Sequence, residues 1–275
     1  MTQPAPLVLV SSAMGIGSRY YRPLAEAFRA RGWDARALPR RGFEPDSPPA
    51  SRGHDWSYGD EVDEMARAVA AARAEAPDRP VILLGHSLGA QLAVGHQHSH
   101  PPADGLVTVG GCLPFHRDYP RGGPHLLIMG SLIVPVLTGL FGFLPKPAFG
   151  GPGARTLMRE WARMARTGRT PFPSATPITT PSLVVALEGD RLAPEIAVKR
   201  FAARLVAPQS LTTWLYRDAD VPPGASNDHT SWARHPGPVV DRVLTWWTTV
   251  AEGRRPSAAA RLDHAATSGD PRDGA

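Results

Sequence analysis

Short unbroken apolar runs alternate along this chain with longer stretches whose apolar residues recur at helical spacing. Leu7-Val8-Leu9-Val10 has the length and continuity of a strand buried on both faces. Ser18 is placed to cap a helix from Tyr20 to Arg31 whose Leu24, Ala27 and Phe28 share one face, and Gly32 stops it. A second strand around Ala35 to Leu38 leads into a polar loop rich in Pro, Gly and Ser, Arg40 to His54. An Ala-rich helix follows, Tyr58 to Ala76, with Asp60, Glu61 and Asp63 in its first turns, where the helix dipole favours acids. Val81 to Leu84 is a central strand, Leu88 to about Ser99 the helix behind it, and Gly105 to Val109 the next strand. The later strands are Leu183 to Leu187 and Leu211 to Tyr216, with a helix, Pro194 to Val206, between them and another, Pro236 to Val250, closing the domain. Such alternation predicts an α/β fold, a doubly wound, mostly parallel sheet with right-handed crossovers.

One stretch breaks the alternation. Residues 112 to about 180 hold the apolar run Leu126 to Leu144 and a helical segment, Ala154 to Arg166, and are expected to form a helical cap over the site. The run approaches the length of a membrane span, but Gly130, Pro135, Gly139 and Gly142 interrupt it, so a pair of cap helices is expected and membrane-surface contact is the lesser reading. The predicted organisation is a core of residues 1–111 and 181–253, a cap or lid of 112–180, and a tail of 254–275. That tail has no apolar period and is expected to be disordered.

With 42% hydrophobic residues in 275, the chain can bury a full core. A pI of 9.9 raises nucleic acid as a partner, but the only lysines are Lys146 and Lys199 and no basic stripe is interleaved with aromatics, so none is expected. Cys112 is the single cysteine, which excludes an internal disulfide and a cysteine-ligated zinc. No charged leader precedes the first strand, and residence in the cytoplasm is the expectation.

The chemistry centres on Gly85-His86-Ser87-Leu88-Gly89, set between the central strand and its helix. Strand, Gly-x-Ser-x-Gly, helix describes a turn so tight that the serine takes a strained backbone and a Cβ at either glycine would collide with its surroundings. A serine hydroxyl needs a base, and the base needs a group to orient it. His229 lies after the last strand and before the last helix, and His235 is its rival. Asp190, directly past the strand ending at Leu187, is the acid, with Asp218 and Asp220 as rivals and helix capping as its structural alternative. The oxyanion donors expected are the backbone N–H of Leu88 and, from the loop Ser11-Ser12-Ala13-Met14-Gly15, that of Met14 in preference to Ala13.

Leu9-Val10-Ser11-Ser12-Ala13-Met14-Gly15, Tyr20-Tyr21-Arg22-Pro23-Leu24-Ala25, Asp55-Trp56, the elbow, and Gly105-Leu106-Val107-Thr108-Val109 resemble a branch of serine α/β-hydrolases. That branch lies near the serine-aminopeptidase and lysophospholipase-like groups. The resemblance runs from about residue 7 to residue 250. It implies Ser87 as nucleophile, Asp190 as acid and His229 as base. Relatives begin with an antiparallel hairpin, and only six residues precede Leu7, so the sheet is expected to lack it.

The function expected is cleavage of an ester or thioester, acyl and lipid-like, through an acyl-enzyme on Ser87, with a small apolar acyl substrate and no cofactor. The alternatives are an amidase or peptidase of the same mechanism and a binding protein that keeps the fold without the chemistry. His96, His98 and His100 at a helix end invite a metal, but no adjacent carboxylate is expected and no metal is assigned. Gly15-Ile16-Gly17 lacks the third glycine of a dinucleotide loop, and Trp246-Trp247 reads as packing.

Overall fold

The structure, a computed structural model, describes residues 4–147 and 149–253. The tail expected to be disordered, 254–275, lies outside the described residues. Six strands form one sheet: β1 (Leu7–Ser11), β2 (Asp34–Ala37), β3 (Val81–His86), β4 (Gly105–Val109), β7 (Ser182–Leu187) and β8 (Leu211–Tyr216). Their order is β2-β1-β3-β4-β7-β8 and every pairing is parallel, so the described sheet carries no antiparallel hairpin. Two further strands, β5 (Phe143–Leu144) and β6 (Gly153–Ala154), make a separate hairpin.

Alternation within buried strands divides the core in two. Val8, Val10, Ile82, Leu84, Val107 and Val185 pack against α1 (Arg22–Arg29) and α8 (Gly237–Gly253). Leu7, Leu9, Val81, Leu83, Leu106 and Val184 pack against α2 (Tyr58–Glu75), α3 (Leu88–Ser99) and α7 (Glu195–Leu205). Since successive strand side chains point to opposite faces, both faces must be apolar and both must be covered. Trp246 and Trp247 are buried in the first of these cores.

The chain turns from β1 to β2 on one side, then crosses to β3 on the other, so strand order reverses between β1 and β3. Loops leaving the carboxyl ends of such neighbours diverge and open a crevice. The register places Ser11 beside Gly85, which brings the loop after β1 alongside the turn after β3.

Edge strand β2 is short and charged. Asp34 pairs with Arg36 and Arg79, and Arg36 also pairs with Glu75, which blunts an edge that would otherwise accept another strand. Ser18 does not cap the first helix as expected. Residues Ser18–Tyr21 form a 3-10 turn that leads directly into α1, and the Ser18 hydroxyl donates instead to Glu44 at 2.9 Å. Helix α2 is closed at its start by Ser57 and Asp60, each bonding the other's backbone.

Between β4 and β7, α4 (Pro124–Ile128), a π turn (Met129–Ile133) and α5 (Val134–Phe141) run on as one path, followed by the hairpin and α6 (Arg155–Thr167). Pro124 opens α4, where its missing N–H needs no intrahelical acceptor, and Pro135 stands just after the π turn, where it can supply no N–H to the continuing path. Asp55 fastens α6 to the core by accepting from Thr156 N at 2.9 Å and Thr156 Oγ at 2.6 Å. Leu157 N donates to Trp56 O, and Tyr58 N donates to Glu160.

Candidate active site

Strand β3 ends at His86 and α3 begins at Leu88, leaving Ser87 alone to make the turn. It does so at φ 54° and ψ −115°, a conformation costly for any residue with a Cβ. A Cβ on Gly85 would overlap the Gly89 carbonyl and Ala90, and one on Gly89 would overlap the Ser11 and Ser12 carbonyls. The glycines of the motif are therefore required by close approach of backbone to backbone.

Ser87 Oγ lies 2.9 Å from His229 Nε2, and His229 Nδ1 lies 2.7 Å from Asp190 Oδ2. With the Nδ1 proton donated to the carboxylate, Nε2 is free to accept from the serine hydroxyl. The Asp190 side chain is buried, and its Oδ1 accepts from Leu192 N and Ala193 N, both at 2.8 Å. Asp190 does not cap α7, whose N-cap is Pro194 with no side-chain bond; its second oxygen instead closes the loop that precedes that helix. Gly110, at φ 56°, leaves the room behind this pair. A Cβ there would meet Asp190 Oδ2 at 3.0 Å and His229 Nδ1 at 3.4 Å.

The rivals lie elsewhere. His235 is exposed at the start of the last helix. Asp218 accepts from the amide of Asn227 at 2.7 Å, bracing the loop that carries His229, and Asp220 is exposed. Asp228 tightens the same loop by accepting from Thr230 N and Ser231 N. Burial opposes its ionisation, but those bonds and one from Ser226 outweigh it and bring its pKa down to about 2.

A buried relay, not foreseen from the sequence, connects the two sides of the site. Ala13 N donates to Tyr21 Oη at 3.0 Å, Tyr21 O–H donates to His86 Nδ1 at 2.6 Å, and His86 Nε2 donates to the His229 carbonyl at 2.6 Å. Tyr21 and His86 are fully buried, and Trp232 packs edge-on to the His86 ring. Burial, reinforced by the neighbouring His229, holds the His86 pKa well below the ordinary 6.5, so its ring is neutral and can both accept and donate. Ala13 N is engaged with Tyr21, whereas the next amide, Met14 N, has no acceptor among the described residues. Leu88 N, first in α3, needs no intrahelical acceptor either. In the sequence His86 stands only as a variable position of the elbow, and Tyr21 only within the stretch Tyr20-Tyr21-Arg22-Pro23-Leu24-Ala25 that carries the resemblance.

A cavity of about 460 Å³ opens on Ser87 and His229. Met14, Leu126, Met129, Phe149 and Trp161 give it largely apolar walls, so part of the segment between β4 and β7 lines it. Cys112 also faces it, but burial pushes its thiol pKa up to about 12, against the lowering effect of Tyr119, and it stays protonated. Contrary to expectation, a carboxylate does approach the histidines at the end of α3. Asp63 of α2 lies 2.9 Å from His100 Nε2, because α2 packs across α3. Among the described residues no group of three or more His, Cys, Asp or Glu is arranged to hold a metal.

The sequence model of the family described as serine aminopeptidase, S33, matches residues 2–140, just over half of the chain. No curated protein matches it. Among solved structures, a pyrethroid hydrolase from Sphingobium faniae JZ-2 is similar over 90% of this chain and 99% of that one, at 18% identity and a TM-score of 0.58. A monoacylglycerol lipase from Paleococcus ferrophilus covers 88% and 96%, at 16% identity and 0.54. An α/β serine hydrolase homologue from Coxiella burnetii covers 87% and 85%, at 14% and 0.51. At these identities the likeness establishes a shared fold, and together with the family match it means that this chain belongs to the serine aminopeptidase S33 family of α/β-hydrolases.

Proposed function

We propose that the protein is a serine hydrolase that cleaves an ester or thioester through an acyl-enzyme on Ser87. The observation that carries the reading is the unbroken line of hydrogen bonds from Asp190 through His229 to Ser87 Oγ, at the floor of an apolar cavity. Ser87 Oγ attacks the acyl carbonyl while His229 Nε2 takes its proton, and Asp190 steadies the resulting imidazolium. The N–H groups of Leu88 and Met14 receive the charge that develops on the carbonyl oxygen, each such donor lowering the barrier by roughly 3 kcal/mol. His229 then passes its proton to the leaving alcohol or thiol, and a water activated by the same nitrogen releases the acid. No step calls on a cofactor.

The apolar walls supplied by Leu126, Met129, Phe149 and Trp161 favour an apolar acyl chain, and the fold relatives include a lipase. A fluorophosphonate probe tests the reading. Wild type is expected to label, and Ser87→Ala and His229→Ala to lose labelling, with acyl p-nitrophenyl esters of increasing chain length then ranking the substrates. A wild type that neither labels nor turns over any ester of the series would overturn it in favour of a binding protein.

A further inference from the structure

The path from Pro124 to Phe141 is apolar on both faces. Leu126, Gly130, Val134 and Thr138 form its buried stripe and pack towards α6, while Ile128, Leu132, Val136 and Leu140 form a second stripe that faces outward. Leu132 is 58% and Leu140 65% exposed, with Leu127 and Phe141 flanking them. The other strongly exposed large apolar residues described, Leu192 and Ile196, lie where the loop after Asp190 enters α7. Tyr119 ties that loop to this segment by donating to Leu192 O at 2.9 Å. Exposed apolar groups are normally scattered. Six along one helix, a patch on the order of 500 Å², mark an interaction surface.

We propose that this face docks on an anionic lipid surface, the helix lying in the interfacial plane. The 22-residue stretch Pro120–Phe141, helical from Pro124 onward, is long and apolar enough to cross a bilayer. Crossing would strip the buried stripe from α6, where Gly130 is so close that a Cβ would sit 2.7 Å from the Ala162 carbonyl. With only the outer stripe available, the helix can sink its apolar side to the depth of the acyl boundary and no further. The charges around it select the partner. Arg121 precedes the helix, Arg52 donates to Leu140 O at its other end, and Arg191 adjoins Leu192. Residues 112–168 hold seven Lys and Arg against two acids, Asp118 and Glu160. Asp118 pairs with Arg200, and Glu160 accepts from Tyr58 N. A second copy of the chain would bring like charges together, whereas anionic headgroups meet them and the acyl layer meets the leucines. His125, Leu126, Met129 and Leu192 also line the cavity at Ser87. Taken with the hydrolase reading, docking sets the cavity beside the layer from which an apolar acyl substrate would leave.

Flotation tests the proposal on full-length Ser87→Ala, so that binding is read without turnover and independently of the chemistry. Vesicles of equal parts phosphatidylglycerol and phosphatidylcholine are expected to carry the protein upward at low salt, and vesicles of phosphatidylcholine alone to carry much less. Leu132→Glu with Leu140→Glu is expected to lower partitioning by about a hundredfold, the factor that burial of two leucines supplies. Arg121→Glu with Arg191→Glu is expected to abolish the preference for anionic lipid. Both pairs are on the surface, and an unchanged thermal midpoint will show that they fold. Absence of flotation, or flotation that the leucine pair leaves intact, overturns the proposal. So does a dimer in sedimentation velocity that the leucine pair splits while vesicles remain unbound, which would assign the face to self-association.

Discussion

Replacing Tyr21 by phenylalanine removes one oxygen from the middle of the buried relay and leaves its ring in place. Ala13 N–H then has no acceptor and His86 Nδ1 no donor, in surroundings where Tyr21 and His86 are 0% and Ala13 3% exposed. An orphaned buried group costs about 1–3 kcal/mol, so the pair should cost about 3 kcal/mol and lower the thermal midpoint by about 5–10 °C. The effect on rate follows from position. Ala13 adjoins the Met14 amide, the proposed oxyanion donor, and the other end of the relay holds the backbone of His229. Full loss of an oxyanion donor costs about a hundred- to a thousandfold, and loosening it should cost about ten- to a hundredfold in kcat, with KM changed less than about threefold. Steady-state hydrolysis of the best ester, read beside differential scanning calorimetry, provides the assay. Tyr216→Phe is the control, because that hydroxyl is buried without a partner among the described residues, so its loss should leave kcat unchanged and should not lower the thermal midpoint. A Tyr21→Phe enzyme that is destabilised but retains wild-type kcat would show that the relay packs the site without aligning it. One unchanged in both would refute the reasoning altogether.

Three further outcomes are expected. Burial lowers the pKa of His86 and, to about 4, that of His96, so below pH 6.5 the unfolded chain takes up protons that the folded chain refuses. Stability should therefore fall with acidification between about pH 6.5 and 4 by about 1.4 kcal/mol per pH unit for each histidine, and urea denaturation that is flat between pH 7.5 and 5.5 would contradict this. Ser87→Gly should be inactive yet more stable than Ser87→Ala by about 1 kcal/mol, because glycine relieves the positive φ that alanine retains, as melting of the two variants will show. Arg40→Met leaves Glu61 buried without its ion-pair partner and should cost about 3–5 kcal/mol. The cost should be less in acid than at pH 8, since burial already raises the Glu61 pKa against the pull of Arg40, and equal losses at the two pH values in urea melts would count against the account.

What could be read from the sequence was what local chemistry decides. An unbroken apolar run such as Val81 to Leu84 has no stable place except between two covered faces, and the glycines around Ser87 admit few other turns, so β3, α3 and the elbow were legible almost to the residue. The positions of Asp190 and His229 followed from where strands end. The role of Tyr21 was not legible, because it rests on a bond to a residue 65 positions away, and a buried tyrosine has the same local signature whether or not its hydroxyl is engaged. The contact of Asp63 with His100 was missed because it depends on how α2 crosses α3. The π turn at Met129–Ile133 leaves no mark in composition, since it adds one residue to a turn of an already apolar helix.

The segment that carries α4 to α6 leaves the sheet after β4 and returns at β7, its hydrogen-bonded neighbour. Ser87, Asp190 and His229 all lie outside it, as do Leu88 and Met14. Its attachments to the preceding chain include Asp55, Trp56 and Tyr58, each bonded to the first turns of α6. Much of the cavity wall and all of the proposed triad are therefore inherited on separate stretches of one gene. Recombination or directed evolution can exchange the walls that Leu126, Met129, Phe149 and Trp161 supply, leaving Met14 and Leu192 in place, provided that the graft keeps partners for those three residues, while the geometry around Ser87 passes unchanged to the descendant.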